Sequence, residues 1–132
     1  MRKLKKGDYY NPRLVSSVVD ELLNVTTKSA NGALPVTVSG RYRMNHAGAW
    51  AMTVAAPTVE GVEIHVTNNF GTGGTVTVTG IDADATADVF TLAAATATVR
   101  PKLVLTAINV AAAGAAKSLK WESFFTAGVT VA

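Results

Sequence analysis

The stretch WAMTVAAPTVEGVEIHVTN, residues 50–68, decides the fold class. Trp50, Met52 and Val54 fall on one side of an extended chain, and Val62, Ile64 and Val66 on one side of the next. Glu63, His65 and Thr67 point the other way. A period of two is the signature of half-buried strands. The stretch therefore predicts a strand pair around a Pro- and Gly-bearing turn, with almost nothing reactive on it.

The same period extends in both directions. In PVTVSGRYRMN, residues 35–45, Val36, Val38, Tyr42 and Met44 alternate with Thr37, Ser39, Arg41, Arg43 and Asn45. In GTVTVTG, residues 74–80, Val76 and Val78 oppose Thr75, Thr77 and Thr79. Further strands are expected at 88–93, 97–100, 102–110, 118–125 and 128–131. Val and Thr are frequent, and their β-branched side chains suit a pleated sheet. Short strands separated by turns predict a mainly β fold: an antiparallel β-sandwich or small barrel.

The chain ahead of this body is different. MRKLKKGDYY, residues 1–10, is an extended basic arm with a Gly hinge and two tyrosines. Over 11–27 the spacing predicts one short amphipathic helix, with Asn11 as cap and Pro12 in its first turn. Leu14, Val15, Val18, Val19, Leu22 and Leu23 share one half of its wheel, with Arg13, Ser16, Ser17, Asp20, Glu21 and Asn24 on the other. So short a helix is marginal alone, and its apolar face must dock on its own domain or a neighbouring subunit. KSANGALP, residues 28–35, has the composition of a linker, and 36–132 forms the β-domain.

At 132 residues the chain is one domain able to bury a real core. Without cysteine it has neither disulfides nor a thiolate metal site. No apolar run reaches the ~18–20 residues that span a bilayer. The charged N-terminus lacks the apolar core of a secretory signal, so the Asn24-Val25-Thr26 sequon carries no weight. Charge is segregated. Residues 1–13 hold five basic side chains against Asp8, a net +4, while the remainder holds seven basic and eight acidic ones, a net −1. Lys, Glu and Asp are scarce after residue 28, leaving a mild surface of Thr, Ala, Asn and Gly.

Each candidate chemistry has a plainer reading. Asp82, Asp84 and Asp88 in IDADATAD alternate as calcium ligands can, but the loop lacks the turn glycine and closing Glu of a calcium hand. A solvated acidic loop is expected, with no bound metal. His46 and His65, near Glu60 and Glu63, lack an activated serine in a G-x-S-x-G setting. NNFGTGG, residues 68–74, lacks the Lys-Ser/Thr of a phosphate loop. It is expected to be a hairpin turn with left-handed backbone. RKLKK and RYR are basic, and Tyr9, Tyr10 and Tyr42 could stack on bases. Arg41 and Arg43, however, face away from Tyr42. The arm is therefore expected to meet an acidic protein surface rather than nucleic acid. No nucleophile is paired with a base, which points away from an enzyme.

SGRYRMNHAGAWAMTVAAPTVEGVEIHVTNN, residues 39–69, resembles a β-rich unit of structural proteins from tailed bacteriophages. There a G-x-Y strand leads to an aliphatic strand ending in A-A-P-T, followed by a Gly turn and an alternating I-x-V-T strand. Val76-Thr77-Val78-Thr79-Gly80, Trp121 and Gly128-Val129-Thr130 match later features of that unit. Glu60-Gly61 is a shorter turn than the unit implies, and residues 107–117 stand where a tighter hairpin belongs. The resemblance covers roughly 70% of the chain.

What it implies is a non-enzymatic virion protein, made in the host cytoplasm and placed on the capsid exterior, where it decorates or cements the shell. It would need no cofactor, touch no membrane, bind the major capsid protein and assemble as a homotrimer. Arg2, Lys3, Lys5, Lys6, Tyr9, Tyr10 and Arg13 would make the attachment. Leu14, Val15, Val18, Val19, Leu22 and Leu23 would form the docking face. The alternative is a receptor- or glycan-binding fibre or tail-tip module, with Trp50 and Trp121 as candidate stacking residues.

Overall fold

The computed structural model describes residues 25–81 and 87–132. The expected arm, and the expected helix over its residues 11–24, lie outside them. The described chain is mainly β, with ten strands: β1 (Thr26–Lys28), β2 (Gly32–Ala33), β3 (Gly40–Met44), β4 (Trp50–Val54), β5 (Glu63–Asn68), β6 (Gly74–Val78), β7 (Asp88–Leu92), β8 (Lys102–Asn109), β9 (Leu119–Phe125) and β10 (Val129–Val131). Thr26 and Thr27, assigned above to the end of the helix, are in β1. Residues 28–35, read above as a linker, contain β2 and the buried Leu34.

Two five-stranded sheets share one apolar core. The first, sheet A, runs β1-β3-β5-β8-β9, and the second, sheet B, runs β10-β7-β6-β4-β2. From β1 to β6 the chain alternates between them, so β1, β3 and β5 are mutually parallel, as are β2, β4 and β6. The return half is antiparallel: β7 pairs with β6, β8 with β5, β9 with β8 and β10 with β7. The expectation of an antiparallel sandwich is thus corrected to two mixed sheets. Parallel neighbours need a long crossover, and here a strand of the opposite sheet supplies it in place of a helix.

The opening stretch is corrected on the same ground. β4 and β5 do not pair; they lie in different sheets, joined by residues 55–62 with Gly61 at φ 87°. Their faces are as the alternation predicts. Trp50, Met52 and Val54 from one sheet and Val62, Ile64 and Val66 from the other are all buried in the common core. Each such side chain contributes about 1.5–3 kcal/mol when fully buried. Trp121 of β9 lies in the same core and donates Nε1–H to the carbonyl of Ala55 at 2.8 Å, linking sheet A to the end of β4.

Other boundaries differ locally. The strand expected over 35–45 is confined to β3, and Val38 is 59% exposed. Residues 97–100 form no strand. The Thr96 hydroxyl accepts from the N–H groups of Thr98 and Val99, closing a side-chain turn just ahead of Pro101. The long β8–β9 connection is closed by Asn109, whose Oδ1 accepts from the N–H groups of Ala111 and Ser118, each at 3.1 Å.

Residues 68–74 form a crossover between β5 and β6 rather than a hairpin. None of their glycines has positive φ. Asn68, the one fully buried polar side chain described, shapes this crossover. Its Nδ2 donates to the carbonyls of Thr72 and Ala93, both at 2.8 Å, and its Oδ1 accepts from the N–H of Phe70 at 3.3 Å. A buried amide is tolerated because its bonds are made. No helix among the described residues is long and apolar enough to cross a membrane.

Candidate functional site

The residues expected to attach the chain, Arg2, Lys3, Lys5, Lys6, Tyr9, Tyr10 and Arg13, lie outside the described residues. So do Leu14, Val15, Val18, Val19, Leu22 and Leu23. The structure does fix where that segment joins the body. Val25 leads into β1, the outer strand of sheet A, held parallel to β3 by the pairs Thr26–Tyr42, Thr27–Arg43 and Lys28–Met44.

Beside this junction the outer face of sheet A carries two aligned rows. Register places Thr27, Arg43, Thr67 and Lys102 in one row across β1, β3, β5 and β8. Arg41, His65, Val104 and Phe124 form the next. On β1, β3 and β5 the rows are polar, because Tyr42 and Met44 use the opposite face of β3 for the core. A groove of about 300 Å³ is lined here by Val25, Arg41, Arg43, His65, Asn69 and Lys102, among others. Arg43 Nη2 donates to Thr27 Oγ1 at 3.1 Å, and Arg100 Nη1 reaches Asn69 Oδ1 at 3.5 Å.

Four of the seven basic residues after residue 13, Arg41, Arg43, Arg100 and Lys102, thus gather at one corner of a chain whose residues 14–132 carry a net charge of −1. Sequence reasoning missed this convergence. It separated Arg41 and Arg43 correctly from Tyr42 but had no means of bringing Lys102 beside them. The buried Tyr42 phenol is held above its ordinary pKa of 10.0 by desolvation. Lys28 lies 5.6 Å from its ring centroid, within cation–π range.

The remaining candidates separate. Glu63 Oε1 meets His65 Nε2 at 2.5 Å along one strand face, which orients the imidazole, while Nδ1 is buried without a partner among the described residues. Glu60 instead pairs with Lys117 at 2.9 Å. His46 sits between β3 and β4 with its ring 5.9 Å from that of Trp50. Asp82 and Asp84 lie outside the described residues, and Asp88 opens β7 opposite Val78. Among the described residues no three His, Cys, Asp or Glu side chains gather as a metal site would require.

Trp50 is 3% exposed and Trp121 is 0% exposed, so neither indole presents a face for a sugar to stack on. The described aromatics that do reach solvent are phenylalanines, Phe124 on β9 most of all at 70% exposed, with Phe70 and Phe125 less so. No protein-family model, no curated protein and no solved structure matches this chain.

Proposed function

We propose that the protein is a non-enzymatic virion structural component that decorates or cements a capsid shell. It attaches through its N-terminal arm and helix to the major capsid protein and forms trimers through the β-domain. One observation carries the reading: a segment whose first thirteen residues carry a net +4 leads, at Val25, into the edge of a two-sheet body whose described interior is occupied by apolar packing and one satisfied amide. Such a body suits a rigid knob, and the charged segment suits a tether. The likeness of residues 39–131 to structural units of tailed phages supports the same assignment.

The open edge of sheet A supports the trimer reading. β9 is the outer strand of sheet A, and the exposed Phe124 stands on it. Beyond the single bridge of Trp121 to Ile81, no described strand covers that edge. Open apolar edges invite pairing, and a closed oligomer covers them. Three linked arms also raise the effective concentration of each, so weak single contacts suffice.

Deleting residues 1–13 tests the tether. The shortened chain is expected to keep its sheet circular dichroism and to lose co-sedimentation with phage heads. Undiminished decoration would remove the arm from the attachment.

A further inference from the structure

We infer that the groove on the outer face of sheet A is a second contact point, which takes a short extended segment of a partner protein with carboxylates at alternate positions. The identity of that partner as the shell protein rests on the attachment reading; the groove chemistry does not.

Arg41 and Arg43 are two positions apart on β3 and so point to the same side, about 6.8 Å apart along the strand. An extended peptide repeats its side chains at that same interval, so Asp or Glu at alternate positions meets both guanidinium groups in register. Each guanidinium can grip a carboxylate with two parallel hydrogen bonds. Lys102 adds a third cation two strands away, in the row of Arg43. Among the described residues none of these three is in an ion pair. Thr67 and Asn69 supply hydrogen-bonding groups, His65 is on the same wall, and Val25 offers an apolar contact.

Two features favour a short peptide over nucleic acid. Tyr42 is among the groove's lining residues but is only 7% exposed, so its ring offers no open face for a base to stack on. The basic zone is also bounded, because the next row across the same face is Glu63, Thr106 and Glu122. A phosphate backbone continuing along the sheet would run into those carboxylates. A peptide of a few residues would not.

The test is a nitrogen-15 NMR titration of the full-length chain with two probes, a synthetic peptide of alternating Asp and Ser and an oligothymidylate. Expected are peptide-induced shifts at the amides of Arg41, Arg43, Thr67 and Lys102. They should vanish at about 1 M salt, where the Debye length is ~3 Å. Arg41→Glu/Arg43→Glu should weaken binding at least about tenfold. The milder Arg41→Gln/Arg43→Gln should do so partially, with an unchanged spectrum elsewhere. Silence at these amides, or stronger shifts with the oligonucleotide, overturns the proposal. Head co-sedimentation run alongside separates the two ideas. Decoration with a silent groove removes the groove alone, and a responsive groove without decoration removes the attachment reading alone.

Discussion

The indole of Trp50 lies across Gly74, its parallel partner on β6, and occupies the space that a side chain at residue 74 would need. A Cβ built there would overlap Cγ, Cδ2 and Cε2 of Trp50. The same arrangement recurs in sheet A, where the Tyr42 ring covers Gly40, two residues earlier on its own strand. In both places a glycine is the floor on which an aromatic ring lies.

Gly74→Ala is therefore expected to destabilise the protein by about 1–3 kcal/mol, the usual cost of forcing extra volume into a packed core. Urea unfolding measures it. Combining it with Trp50→Leu should cost less than the sum of the two single changes. Simple additivity would mean that the ring and the glycine do not share that space.

Trp121→Phe keeps most of the buried ring but removes the donor to the Ala55 carbonyl. An unsatisfied buried acceptor costs about 1–3 kcal/mol, and a melt of the variant should show a loss of that order. No change would imply that the carbonyl finds another donor.

Asn68→Leu strips the Thr72 and Ala93 carbonyls of their shared donor and the Phe70 N–H of its acceptor. The expected result is faster hydrogen exchange at Phe70 and at Ala95, whose N–H donates to the Phe70 carbonyl. Exchange unchanged at both amides would show that the crossover holds without the side chain.

Tyr42 makes the fold sensitive to alkali. Burial raises its pKa above 10.0 in the folded state, so the fold retains a proton that the unfolded chain releases. Its contribution is intact below pH 10.0 and is lost as pH rises through the folded value. As pH rises above 10.0 the protein should lose more stability than its Tyr42→Phe variant. Parallel losses in the two would assign the alkaline transition to other groups.

Phe124→Asp places a charge on the exposed edge of sheet A. If trimers close over β9, sedimentation velocity should shift toward monomer while the sheet signal persists. A trimer indifferent to that charge must be held elsewhere.

The parts legible in the sequence were local. Alternation placed Trp50, Met52 and Val54 inside and Arg41 and Arg43 outside, because a strand directs successive side chains to opposite faces whatever it pairs with. The same logic located β6, β8, β9 and β10 to within a residue or two. It failed at 97–100, where the Thr96 side-chain turn outweighed β-propensity, and at 35–39, where alternation continued past the strand.

The amino-acid sequence by itself determined a β-rich body, the faces of its strands and the separation of a basic arm from a nearly neutral domain. Only the tertiary structure decided which strands are neighbours and in which direction they run. Backbone hydrogen bonds hold the sheets, and they are the same for every residue type, so alternation cannot say whether a strand's neighbour runs with it or against it. That choice rests on how the whole apolar set closes into one core. It sends the chain back and forth between the sheets from β1 to β6, then brings β8 back beside β5. Lys102 thereby comes to share a row with Arg43, and the groove exists because of that return.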